Sequence, residues 1–405
     1  MKHFIYTILF IASTSIQTAQ SEEKEDKGKQ LFDAYCTACH GDWVVKYTSG
    51  YTKPQWKNLI SNMVDFSNAP EDEAAIIDYL VATYPINDKR QSVVVPGKLK
   101  LKIKKWKAPT LGQRTRDPVE ASDGTIWWVG QSGNILGKIN PETDEMKEYT
   151  LPKGAMPHSV SMGPKGNPWY MGNKNGSVGY LDLKTEQIVE IKMPVPEAKD
   201  PHTGVFDKQG ILWFTLQQSN MIGRLNPETG EIKLVDMPRE KSRPYGIKLD
   251  AHGDLYVACN GSNCLVKVDH KTMKLTEIDL PTPGTTVRRL AIDNNGMVWF
   301  VNSSKGKIGR YNPDNGKITE WPNPSGEASH PYAMEVTDDG AVWFNESSRR
   351  PETLVRFDPK TETFQSWVIS SGGADAGLIR HMRASKKGLL IHQTSTNHIM
   401  EVTWE

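Results

Sequence analysis

The chain has 405 residues, with 49 Lys plus Arg against 48 Asp plus Glu, for a formal net charge of +1. Such a balance excludes the strongly basic profile of a nucleic-acid binder or of a protein held on an anionic membrane. The length suits two folded domains. Residues 1–21 read as an export signal: Lys2 and His3 precede the apolar run Phe4 to Ala12, and Ala19-Gln20-Ser21 offers small side chains for cleavage. The apolar run is short for a spanning helix. The mature chain is therefore expected to be soluble, with no stable membrane anchor. An uncleaved N-terminal anchor is the alternative.

Residues 22–87 form the first domain. Lys27 to Tyr35 predicts a helix that leads into Cys36-Thr37-Ala38-Cys39-His40. A C-x-x-C-H run is the attachment pattern of c-type haem. Two thiols on one turn, Cys36 and Cys39, add to the haem vinyl groups, and the adjacent His40 imidazole ligates the iron. Covalent haem in an exported chain points to the periplasm of a Gram-negative bacterium. Pro70-Glu71-Asp72-Glu73 opens a second helix, with proline in its first turn and acids at its positive end. Ile76, Ile77, Leu80, Val81 and Tyr84 continue it at helical spacing until Pro85. Helices on either side of a haem motif make this segment resemble the small single-haem cytochromes c.

Between residues 22 and 145 the only histidine is His40 and the only methionine is Met63. A second histidine ligand from this domain is thereby excluded. Met63 ends the stripe Trp56-x-x-Leu59-Ile60-x-x-Met63, which also fits ordinary core packing. As sixth iron ligand, Met63 would raise the haem potential and suit electron transfer; a lysine or an open site are the alternatives.

A linker, residues 88–97, carries Pro96-Gly97. Residues 98–405 are periodic. An aromatic pair recurs at Trp127-Trp128, Trp169-Tyr170, Trp213-Phe214, Tyr256-Val257, Trp299-Phe300 and Trp343-Phe344, with a degenerate Ile391-His392. The first members lie 42 to 48 residues apart, and a second signature follows each of the first six pairs by about ten residues, Gly-Lys/Arg or Val-Lys/Arg in five of them and Gly179-Tyr180 in the second. Turns such as Asp123-Gly124 and Asp339-Gly340 separate short alternating strands. Seven units of four strands predict a seven-bladed propeller. The fold class is thus a small all-α cytochrome c domain followed by an all-β seven-bladed propeller. The alternating Lys98 to Lys104 precedes the first unit and is expected to complete the last blade, its lysines guarding the edge.

The wording Leu212-Trp213-Phe214-Thr215, followed by Ile222-Gly223-Arg224-Leu225, resembles the streptogramin B (virginiamycin B) lyase family. That resemblance implies a seven-bladed propeller that opens a cyclic peptide antibiotic by magnesium-dependent elimination at an ester bond. Eleven positions before the seven pairs stand Arg116, His158, His202, Tyr245, Arg288, Tyr332 and Arg380, expected at the mouth of the central channel. The family pattern pairs a Pro-His at this position with a glutamate fourteen residues on. Here Pro157-His158 and Pro201-His202 face Gly172 and Leu216, while Glu346 of Trp343-Phe344-Asn345-Glu346 has Tyr332 as its partner. No blade carries both, which sets the sequence apart from the magnesium-dependent pattern. A mouth of arginines, histidines and tyrosines suits an anionic or oxygen-rich small molecule instead. His330 and His381 lie beside ring positions, whereas His252, His270 and His398 fall in turns or outer strands.

Cys259 and Cys264, across a predicted hairpin, form a disulfide in an oxidising compartment; two free thiols or a metal pair are the alternatives. The sequence thus reads as a periplasmic cytochrome with electron-transfer activity, whose haem c serves an oxidoreductase site on the propeller and a soluble redox partner. The alternatives are a magnesium-dependent carbon–oxygen lyase with an accessory cytochrome, or a non-catalytic ligand-binding propeller.

Overall fold

A computed structural model describes residues 27–37, 45, 50–86, 90–369 and 378–405. The export segment, Cys39 and His40 lie outside the described residues. Among those described, no helix is long and apolar enough to cross a membrane.

Seven four-stranded antiparallel sheets account for residues 101–404, as the periodicity predicts. Blades 1 to 6 run in chain order, from Thr115–Glu120 as the first inner strand to Thr363–Val368 as the last outer one. Blade 7 is composite: Met382–Ala384, Leu389–Gln393 and His398–Trp404 are joined by Leu101–Lys107, which pairs with His398–Trp404 along all seven residues. The closing strand therefore begins three residues later than the lysine alternation alone suggests. Its Lys102, Lys104 and Lys107 are exposed, while Trp106 is buried and donates to Asp144 Oδ1 at 2.8 Å.

The repeat has a packing logic. The second residue of each pair, aromatic in five of the seven blades, sits on the second strand opposite a residue of the third. Trp128 faces Gly137, Phe214 faces Gly223 and Phe300 faces Gly309. A Cβ at those glycines would stand 2.1, 2.3 and 2.1 Å from the ring, so in these three blades the ring fills the space a side chain would take, whereas in blade 6 Phe344 faces Val355. The first aromatic points to the other face, where the basic residue after the glycine covers it: Arg224 lies 5.5 Å from Trp213 and Arg310 5.4 Å from Trp299. Its indole N–H is capped by the preceding turn, Trp213 to Asp207 and Trp299 to Asp293, both at 2.9 Å.

The helical segment has its own core. Residues 27–35, Lys53–Ser61 and Pro70–Thr83 are helical. Phe32, Trp56, Leu59, Ile60, Ile76, Ile77 and Leu80 pack together, with Cys36 and Met63 against them. Thr52 opens the second helix with a capping box closed by Gln55. That helix stops at Ser61, so Met63 stands in the following turn rather than on the helical stripe the spacing suggests.

This unit is fixed to the propeller. Asn62 O accepts from Gly112 N and from Asn397 Nδ2, each at 2.9 Å. Gly112 adopts φ +62°, and a Cβ there would stand 2.9 Å from Met63 O. The Arg350 guanidinium lies 5.2 Å from the Tyr51 ring. The linker is laid along the outside of blades 5 and 6: Val93 N donates to Ser325 Oγ at 2.9 Å and Val95 N to Ser366 Oγ at 2.8 Å.

Candidate functional site

The propeller's inner strands start at one end of the channel. There Pro201 pairs with Leu216, Pro244 with Cys259 and Pro331 with Glu346, so the loops after the second strands lie at that same end. Arg350 and Asn397 belong to such loops, which places the helical unit on the mouth face of the propeller.

The predicted ring assembles at this mouth. His158 and His202 are 3.4 Å apart between ring centroids, and His202 packs on Tyr245 at 4.1 Å. The hydroxyls of Tyr245 and Tyr332 are hydrogen-bonded to each other. Arg288 and Arg380 stand 4.7 and 5.3 Å from the Tyr332 ring, and Arg380 Nη1 donates to the Tyr332 hydroxyl oxygen at 3.3 Å. Arg116 donates to Gln131 Oε1 at 2.8 Å. Glu346 is buried at the mouth end of its strand, but Ser325 and Thr353 take up its oxygens: Ser325 N donates at 2.9 Å and Thr353 Oγ1 at 2.9 Å. It therefore ties blades internally and does not meet a histidine.

A second layer lies one residue further along the inner strands. Register shifts interrupt the pairing just after Arg116, Pro201, Pro244, Val287 and Pro331. A bulge breaks the strict alternation of sides, so consecutive residues both serve the channel. Asp117, Thr203, Arg289 and His381 occupy this layer. Asp117 Oδ2 lies 3.6 Å from Arg289 Nη2 and 3.2 Å from His381 Nδ1. Arg289 Nη1 donates to Thr203 Oγ1 at 3.1 Å, and Thr203 Oγ1 meets His202 Nδ1 at 2.9 Å. Asp117 holds φ +48°, a strained backbone for a non-glycine residue.

The electrostatics follow from burial and from the crowd of arginines. Burial, then Arg116 beside it, holds His158 well below the imidazole range; burial, then Arg289, does the same for His202 and His381. All three are neutral at pH 7. Burial would raise the Tyr332 phenol, but Arg380, Arg288 and Arg116 outweigh it and pull it down to about 6. Burial and the neighbouring Tyr332 push Tyr245 upward. Burial would likewise raise Asp117, and His381 and Arg289 instead hold it well below the carboxylate range. Several buried polar atoms here have no protein partner: Arg116 Nε and Nη2, Arg288 Nε, Arg289 Nη2, Arg380 Nε and His158 Nδ1.

Elsewhere, Cys259 and Cys264 are both buried and unbridged, at the ends of adjacent strands in blade 4. His270 pairs with Asp254 at 2.8 Å on the outer surface. Sequence reasoning missed Asp117 and Arg289. Their signal lay in the repeat itself, one position after each ring residue.

Comparisons with known proteins agree on the architecture. The virginiamycin B lyase family matches residues 97–268. The virginiamycin B lyase of Nocardia farcinica (strain IFM 10152) is 26% identical over 220 residues, covering 54% of this chain and 73% of that protein. The solved virginiamycin B lyase of Staphylococcus aureus superposes with a TM-score of 0.68 at 22% identity, over 75% of this chain and 99% of that one. A catalytically inactive variant of the S. aureus enzyme, solved with quinupristin, superposes with a TM-score of 0.67 at 23% identity, over 75% and 99% of the two chains. At these identities the structures establish the fold alone. The chain carries a virginiamycin B lyase-like seven-bladed propeller.

Proposed function

We propose that the propeller binds a small, oxygen-rich anion at its channel mouth and acts on it by lyase-type elimination. The supporting observation is the convergence of Arg116, Arg288 and Arg380 with buried guanidinium nitrogens that lack acceptors. Each such group costs about 1–3 kcal/mol when left unmet, and a carboxylate or related oxyanion supplies both acceptors and charge. His158 and His202, kept neutral, are suited to take a proton from a carbon next to the bound carboxyl or carbonyl group. The arginines stabilise the negative charge that develops there. The C–H electrons form the new double bond, the C–O bond breaks, and the leaving oxygen takes a proton; no electrons leave the substrate.

Magnesium, which the family resemblance implies, does not fit this donor set. Among the described residues no group of three or more His, Cys, Asp or Glu is placed to hold a metal, and the mouth is dominated by guanidinium charge. No step is routed through it.

The test is calorimetric binding of sulfate and oxalate to the full chain, alongside Arg116→Gln and Arg380→Gln. The expected result is binding by the wild type that weakens at least tenfold in each variant. Absence of binding by the wild type, or equal binding by the variants, overturns the anion site. Mass spectrometry of a streptogramin B incubated with the protein, with and without magnesium, tests whether elimination extends to the substrate class of the similar lyases.

A second reading concerns the helical unit, which we infer to be an accessory c-type cytochrome. Cys36 and Met63 pack on one core, and Trp56 Nε1 is buried there without a protein partner. Cys36 and Cys39 would hold haem c covalently, with His40 and Met63 as axial ligands; bound haem supplies one-electron chemistry. Export to the periplasm and a soluble redox partner belong to the same reading. A pyridine haemochrome spectrum of the denatured, exported protein tests it, and a chain without covalent haem overturns it.

A further inference from the structure

Tyr245 and Tyr332 come from blades 4 and 6, which are not neighbours in the ring, and meet hydroxyl to hydroxyl inside the mouth. The Tyr332 oxygen is hydrogen-bonded to the Tyr245 hydroxyl and accepts from Arg380 Nη1 at 3.3 Å. A phenol oxygen that accepts from a guanidinium in a buried site, with Arg288 4.7 Å and Arg380 5.3 Å from its ring, is placed to carry negative charge. The charged and titratable groups facing it are Arg114 and Arg116 from blade 1, Tyr245 from blade 4, Arg288 from blade 5, Arg380 from blade 7 and His330 on its own blade. The adjacent strand turns Asn345 toward it, whose Oδ1 accepts from Tyr332 N at 3.3 Å. Four of these six neighbours are arginines, and three of them, Arg116, Arg288 and Arg380, carry open N–H groups of the mouth.

We propose that the Tyr245–Tyr332 pair is a proton store tied to anion binding: an oxyanion that engages Arg288 and Arg380 relieves Tyr332 of their field, and the pair takes up one proton from solvent as the anion seats. The inference rests on the anion-site reading above. The anion thus replaces the phenolate as the counter-charge of the arginines, and uptake of one proton offsets one of the negative charges that the anion brings. The depressed titration of Tyr332, which falls to about 6 through Arg380, Arg288 and Arg116 against the opposing effect of burial, agrees with the geometry.

The sign of the effect is fixed. Below about pH 6 the pair is already protonated, and binding takes up nothing. Above that value the free protein must gain a proton to bind, so affinity falls about tenfold for each pH unit until the value for the bound state is reached. Sulfate is a suitable probe because it does not titrate near neutrality.

The experiment is calorimetric titration of the full-length protein with sulfate across about pH 6 to 8 in buffers of different ionisation enthalpy, with tyrosinate absorbance followed in parallel. The expected result is uptake of close to one proton per sulfate, loss of the tyrosinate band on binding, and disappearance of both effects in Tyr332→Phe. Tyr245→Phe, which keeps the Tyr332 oxygen, provides a second variant in which the uptake shifts to a different pH range. Binding without proton uptake, uptake that persists in Tyr332→Phe, or uptake with the tyrosinate band unchanged each overturns the proposal. Failure of the wild type to bind sulfate or oxalate overturns the anion site instead.

Discussion

Replacing Asp117 with asparagine removes the negative charge that Arg289 and His381 share in the second layer of the channel. Asp117 is fully buried, and its Oδ2 lies 3.6 Å from Arg289 Nη2. At that distance and an effective dielectric constant near 20, Coulomb attraction amounts to about 5 kcal/mol. Arg289 keeps its bonds to Thr203 Oγ1 and to the Arg380 carbonyl, at 3.1 and 3.2 Å, which moderates the loss. The expected destabilisation is about 3–5 kcal/mol, that of a buried charge deprived of its partner. The same substitution leaves the mouth more positive, so sulfate affinity rises. Stability and affinity thus move in opposite directions. Urea denaturation and sulfate calorimetry on the same preparation read both. Because the Asp117 carboxyl is held below its ordinary range in the folded state, its contribution is complete at neutral pH. It is lost as pH falls through the carboxylate range toward that depressed value; the wild-type and variant stabilities should therefore converge in acid. An Asp117→Asn protein as stable as the wild type at pH 7, or one that binds sulfate more weakly, refutes the electrostatic account.

Gly223→Ala forces a methyl group into the Phe214 ring, whose nearest carbons would lie 2.3 Å from the added Cβ, and should cost about 1–3 kcal/mol in urea denaturation; a neutral result would remove the glycine–aromatic interlock as the reason for the repeat. Burial raises Glu352 from 4.5 to about 7, outweighing Ile379 N and Asn345. A carboxyl raised in the folded state loses stability as pH climbs between those values, so Glu352→Gln should be the more stable protein at pH 8, with the gap narrowing toward 4.5; parallel pH profiles would contradict this. Cys36→Ala combined with Cys39→Ala should abolish covalent haem, and haem retained after denaturation would sink the attachment. Met63→Ala should shift the haem spectrum toward high spin, and an unchanged spectrum would remove Met63 from the iron.

The ring at the mouth was legible because the repeat counts residues faithfully: the interval that locates Trp213 also locates His202, and likewise for Trp299 and Arg288. Of the second layer only His381 was singled out in the sequence; the repeat marks the positions of Asp117 and Arg289, but simple alternation sends the residue after each ring position away from the channel. Only the bulges bring Asp117 and Arg289 back to it. Glu346 shows the converse. Its place in the repeat was readable, but the capture of its oxygens by Ser325 and Thr353 depends on contacts between residues 21 and 7 positions apart in chain, which no period records. Met63 slipped off its helix because the last turn ends at Ser61, and the Asn62 carbonyl is drawn to the propeller instead.

That carbonyl has a further consequence. One of its donors, Gly112 N, leads into blade 1; the other, Asn397 Nδ2, stands before the last strand of blade 7. The two are neighbours only once Leu101–Lys107 has zipped onto His398–Trp404. A single acceptor therefore spans the seam of the ring, and the helical unit can latch fully only onto a propeller that has already shut.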